Sequence, residues 1–370
     1  MKKSKHGNYH KIVAFVLIAI VIISAVGFVA NGWQPIFDFE ADSGDTDNKG
    51  SGNADKNTGG VNDSEDDTTV VAPPKYYHYL TGLEVSEEAS KRTPTAFTVN
   101  PATSLYGVAS SPLSIEFPIE NGKTRLLVYS DNATSLGKIG AIEASRQYIS
   151  NMIKHFGGNI LSLGTDDIIE YNGINVSKSH LNLTKMSGYH YTELESAFTN
   201  GDLLKAAIIA ANVQTELSEI MRLPFVFTDI GEAEIVLDSA ATRITIPISN
   251  EITTELIFNS ETGRYSYCKD GAAKTDMLNM AKIEYDNVFV LFADSVTHET
   301  SGGTELVMNT IGSGNGYYMT NGTYASIKWI ADGDTMTLYD ENDNKLAVNR
   351  GTGYIAFVKS TNTSELKFHK

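Results

Sequence analysis

The sequence predicts an α+β protein, with an α/β domain followed by a mostly antiparallel β domain, both behind a single transmembrane helix. Three observations lead there. Ile12 to Ala30 is a run without charge and mostly apolar, residues up to about 225 mix strand and helix patterns, and residues beyond it form short strands with little helix between them.

Residues 1–11 carry Lys2, Lys3, Lys5 and Lys11 and no acid. As a helix, the 12–30 run spans roughly 28 Å, close to the thickness of a bilayer's hydrocarbon core. Lysines before it and acids after it place the N-terminus in the cytoplasm and the rest outside the cell membrane. The alternative is a cleaved signal peptide, for which Ala25-Val26-Gly27 supplies small residues at a cleavage site. Residues 31–74 read as a disordered acidic linker: between Asp38 and Thr68 ten acids face only Lys49 and Lys56, in a background of Gly, Ser, Asn and Thr.

The first domain is expected over 75–225. Thr95 to Val99 and Arg125 to Tyr129 read as strands that follow the turn signals Thr93-Pro94 and Asn121-Gly122. The spacing of Ile142, Ile149, Met152, Ile153 and Phe156 predicts a helix over 140–156, stopped by Gly157-Gly158, and Asn159 to Leu163 reads as a strand. Asp202 reads as the cap of a second helix over 203–222, which ends before Pro224. In the second domain, 226–370, strands are expected at 242–248, 253–258, 264–268, 288–292, 305–310 and 353–359. Asn321-Gly322 is a strong hairpin signal between strands at 316–320 and 323–329, and a polar turn joins strands at 335–339 and 345–348.

With 29 Lys+Arg against 45 Asp+Glu, the formal net charge is −16, which argues against nucleic acid as a partner. The lone cysteine, Cys268, excludes an intramolecular disulfide and is expected to be buried in a strand. The eight histidines show no helical zinc spacing within the head, and no cofactor or metal is expected. Asp340, Asn342 and Asn344 imitate the start of a calcium loop. Lys345 and Gly351 occupy the positions where that loop needs glycine and glutamate, so a polar turn is the reading. Gly312-Ser313-Gly314-Asn315-Gly316 looks like a phosphate loop, but it runs into a strand without a helix behind it.

What remains is a charged group. Glu116 and Glu120 lie four apart on an extended stretch, with Arg125 and Arg146 nearby in sequence. Two carboxylates on one side of a cleft can do acid/base work on a glycan; equally, they can be surface charges or ion pairs. Tyr76, Tyr77 and Tyr79, and Tyr317, Tyr318, Tyr324 and Trp329, offer aromatic platforms, although on alternating strands half of them face the core.

The chain resembles the YerB-type lipoproteins, a bacterial envelope family with an N-terminal and a C-terminal domain. Leu80-Thr81-Gly82-Leu83 and Ser90-Lys91-Arg92-Thr93-Pro94 are similar to its opening, and Glu116, Glu120, Gly122 and Thr124-Arg125 fall on its pattern. Further along, Val288 to Phe292, Gly312-Ser313-Gly314, Gly316, Trp329, Tyr339-Asp340-Glu341, Leu346, Asn349 and Gly351 continue the likeness, over about 78–360. The chain departs from the family in carrying no lipid-attachment cysteine, in having Glu143 where the family has an arginine, and in lacking a histidine ahead of His190-Tyr191-Thr192; Arg146 is retained. If these groups form a polar cleft, Glu143 changes any anion it binds, so Arg125, Glu143 and Arg146 are the candidate binding residues.

The expectation is therefore a membrane-anchored extracytoplasmic protein that binds a cell-wall component or an envelope protein without catalysis. The competing expectation is a cell-wall hydrolase using Glu116 and Glu120. A solute receptor is a third reading, and it needs a deep pocket.

Overall fold

The apolar run Gly353–Lys359 is the centre strand of a 14-stranded mixed sheet, where it pairs in parallel on one side with Leu113–Pro118 and on the other with Asn287–Ala293. A strand flanked on both sides and covered on both faces needs apolar residues at every position, which is why these segments do not alternate. The computed structural model describes residues 74–370 apart from 165–169, 172–173, 194–195, 218–222, 250 and 301–302. The basic tail, the proposed anchor at 12–30 and the linker up to residue 73 lie outside the described residues. Among the described residues no helix is long and apolar enough to cross a membrane.

The sheet runs in the order 191–193, 196–199, 139–142, 95–99, 124–130, 113–118, 353–359, 287–293, 312–320, 323–331 and 239–240. Residues from both halves of the chain thus share one sheet. Parallel pairs also join Thr95–Val99 to Asn159–Ser162, and Asn159–Ser162 to His180–Asn182. On one face, Ile115, Phe117, Phe289, Leu291, Ile355 and Phe357 pack with Tyr148, Ile149, Met152 and Phe156. On the other face, Val288, Val290, Tyr354 and Ala356 pack with Ile244, Leu256, Tyr265 and Tyr267 of a second, six-stranded sheet. The expected α/β first half is therefore strand-rich, with short helices, and the expected antiparallel second half contributes to a mixed sheet.

Several strand expectations hold, among them Thr95–Val99 and Gly353–Lys359, and the Asn321-Gly322 hairpin joins Gly312–Thr320 to Thr323–Ala331. The two helices need correction. Residues Ile139–Ile142 form a strand, and two short helices follow, Gln147–Ser150 and Met152–Phe156, with Asn151 at their junction. The second helix is Gly201–Ala211: Asn200, not Asp202, is its cap, its side chain accepting from Leu203 N at 3.0 Å. Asn212 then turns left-handed and ends it well short of residue 222.

The glycine run is explained by close packing. A Cβ on Gly314 would overlap the Phe292 carbonyl oxygen and the Trp329 indole, whose Nε1 donates to that same oxygen at 2.9 Å. Gly314→Ala is expected to destabilise the protein by about 1–3 kcal/mol in urea unfolding, the usual range for overpacking, while Ser313→Ala leaves the midpoint unchanged.

Candidate functional site

The Glu120-Asn121-Gly122-Lys123 turn joins Leu113–Pro118 to Thr124–Ser130, with Asn121 and Gly122 both at positive φ and Ile119 N donating to Lys123 O at 2.9 Å. This turn sets Glu120 beside the segment 143–146. Arg146 grips Glu120 through Nη2 to Oε1 and through Nε to Oε2 at 3.3 Å, and Arg125 Nη2 donates to Glu143 Oε2 at 2.9 Å. Backbone carbonyls finish the placement: Arg125 Nε donates to Ala144 O at 3.3 Å and Arg146 Nη1 to Ser145 O at 3.0 Å. Glu305, from the hairpin of Ser295–Thr300 and Gly303–Met308, approaches Arg146 Nε at 4.0 Å.

Four of the five expected site residues, Glu120, Arg125, Glu143 and Arg146, therefore gather into one charged cluster. Burial acts to raise the pKa of Glu120, but the hydrogen bonds and charge of Arg146 outweigh it and hold the carboxyl below its ordinary range. Burial lowers the pKa of Arg125, opposed by Glu143. Because Glu143 takes up Arg125, the cluster pairs each cation with an acid and leaves little attraction for an external anion.

Glu116 is the exception. It was expected on the same side as Glu120, yet it is 0% exposed and faces the second sheet, because successive strand residues point to opposite faces and the strand ends at Pro118, before Glu120. There it forms an ion pair with Lys269, whose side chain is 3% exposed, and accepts from Tyr267 Oη at 2.9 Å and Tyr354 Oη at 2.6 Å. The ammonium of Lys269 also donates to Thr254 Oγ1. Glu116 and Glu120 thus belong to separate networks. The partners of Glu116 come from about 150 and 240 residues further along the chain, and no local pattern announces them.

The other candidates settle into structural roles. Cys268 is buried, burial pushes its thiol pKa up, and Sγ lies 3.6 Å from Ser266 O. Asp340 closes a turn by accepting from the backbone N–H groups of Asn342 and Asn344, both at 2.9 Å. Tyr318 and Trp329 are in the core, and Tyr324 stacks on Phe368 with ring centroids 3.8 Å apart. Among the described residues no group of three or more His, Cys, Asp or Glu side chains is placed to hold a metal ion.

Residues 244–355 match the family described as the C-terminal domain of a protein of unknown function, DUF3048. The crystal structure of the YerB protein from Bacillus subtilis is similar to this chain at a TM-score of 0.65 and 16% sequence identity, covering 80% of this chain and 100% of that one. The chain has the fold of that YerB structure, and its C-terminal half carries the DUF3048 match. The likeness to the solved structure is a likeness of fold, and the YerB-type sheet is the frame that brings the 120, 125, 143 and 146 side chains together. No curated protein matches the chain.

Proposed function

We propose that this YerB-type protein is a membrane-anchored extracytoplasmic protein whose head binds a cell-wall component or an envelope protein partner without catalysis. The observation that carries the reading is the pairing of the charged cluster. A glycoside hydrolase needs one carboxyl held protonated by a raised pKa and a second carboxylate within about 5–9.5 Å across the scissile bond. Glu120 is instead held ionised by Arg146, and Glu116 is sealed in the interior against Lys269. The anchor rests on the 12–30 run, and the extracytoplasmic placement on the lysines that precede it.

Incubating the full chain in mild detergent with purified sacculi tests the reading. Co-sedimentation without release of soluble glycan fragments is the expected result, and Glu120→Gln is expected to leave sedimentation within about twofold. Release of fragments that Glu120→Gln abolishes overturns it in favour of the hydrolase.

A further inference from the structure

Lys91, Arg92 and Thr93, from a run that the charged cluster does not use, line a groove of about 740 Å³. That volume lies within the range of about 300–1,000 Å³ usual for small-ligand sites. The buried residues Thr95, Ser130 and Asn159, each at the end of a strand, also line the groove. Across from 91–93 stand Lys205, Ile208 and Ile209 of the 201–211 helix. Gly201 seats this helix directly against the Thr134 backbone, so that Thr134 and Ser135 line the groove as well. The segment after the helix returns to pair with the first wall, Thr93 N donating to Thr215 O at 2.9 Å and Leu217 N to Lys91 O at 2.8 Å.

Three features define what such a groove takes. Its charges nearly cancel, because Lys91, Arg92 and Lys205 face Glu87, Glu88, Asp131 and Glu216, and Lys91 and Arg92 are already ion-paired with Glu87 and Glu88. That balance disfavours a phosphate or a polyanion. Six hydroxyl-bearing residues line it, Thr93, Thr95, Ser130, Thr134, Ser135 and Thr215, of which Ser130 already donates to Asn132 Oδ1 at 3.1 Å. Besides Asp131 Oδ1, which faces His78 Nε2 at 3.1 Å, two of its side-chain oxygens are without a partner among the described residues: Thr93 Oγ1, and Oδ1 of Asn159, a residue 2% exposed whose Nδ2 is already committed to Gln214 O at 2.6 Å. Buried polar atoms are nearly always satisfied, so two such acceptors in one groove call for a donor from outside. Beside them Ile209, 70% exposed, presents an apolar surface that suits the C–H face of a sugar ring or an acetyl methyl.

From this the geometry points to the groove between the 91–93 segment and the 201–211 helix as a binding site for a neutral, hydroxyl- and amide-bearing saccharide, of the N-acetylated glycan class. This assignment rests on the wall-binding reading above and names its site and ligand chemistry. An extended peptide also carries amide donors, but it has less use for so many hydroxyl-bearing residues.

The test is calorimetric titration of the full chain with an N-acetylglucosamine tetramer, and in parallel with a cell-wall stem peptide, beside the sacculus sedimentation. Ile209→Asp and Thr134→Arg alter exposed groove residues without touching the core. The expected result is tetramer binding that each variant weakens at least tenfold, with unchanged thermal unfolding. If the chain sediments with sacculi but does not bind the tetramer, or the variants bind like the parent, the groove assignment falls while the wall-binding reading stands. Groove-dependent tetramer binding without sedimentation sustains the groove and overturns the wall reading. Titration by the stem peptide in place of the tetramer overturns the saccharide assignment.

Discussion

Glu116→Gln is expected to lower the unfolding free energy by about 3–5 kcal/mol, read as a shift of the urea midpoint at constant slope, which is the range for removing one partner of a buried ion pair. The substitution leaves the Lys269 ammonium enclosed between the sheets without a counter-charge. Burial already lowers the pKa of Lys269, and Glu116 is the main opposing influence. The amide still accepts from Tyr267 and Tyr354, which remain protonated because burial drives both phenol pKa values well up. The loss therefore isolates the charge. Adding Lys269→Met to Glu116→Gln is expected to restore at least about 2 kcal/mol, since an apolar side chain removes the stranded ammonium. A Glu116→Gln midpoint within error of the parent, or a double variant no better than the single, would show that the pair contributes nothing beyond its volume.

The second large effect is acid lability centred on His155. Burial lowers its pKa from 6.5 to about 4, against the opposing charges of Asp332 and Asp334. The folded state thus resists a proton that the unfolded chain accepts below about pH 6.5. The stabilisation is fully present above that value, declines as pH falls, and is gone below about 4. A displacement of this size corresponds to about 3 kcal/mol between those limits. Its Nδ1 has no partner among the described residues, so a neutral ring satisfies the site poorly and a charged one worse. Unfolding measured from pH 7 to pH 4 in the parent and in His155→Leu separates this contribution from that of the carboxylates, which titrate in both. Parallel stability curves for the two proteins would sink the assignment.

Where local pattern and tertiary demand agree, the structure follows the sequence closely. The continuous apolar run 353–359 becomes a strand covered on both faces, and Asn321-Gly322 becomes a two-residue hairpin turn with both residues at positive φ. Where they compete, long-range pairing wins. Ile142 fits a helical stripe with Ile149 and Ile153, but the 139–142 segment pairs with residues 197–199, so the helix begins only after Arg146. Nothing nearby in sequence reports such a partner. The same holds for the candidate site. Glu120, Arg125, Glu143 and Arg146 lie within 27 residues of one another, near enough for the sequence to group them as candidates, but only the structure shows that they meet. The place of Glu116 is not legible locally, because Lys269, Tyr267 and Tyr354 reach it from the far half of the chain. No sequence pattern marks the groove, because its sides come from separate stretches, each ordinary by itself.

The placement of 353–359 between 113–118 and 287–293 has a kinetic side. A ribosome makes that stretch after both of its neighbours, which cannot reach one another across the vacant slot until it arrives. Nascent chains of this protein must therefore wait with two raw hydrogen-bonding margins open to any passing strand. Productive assembly is a race that a chaperone, or rapid synthesis through residue 359, decides.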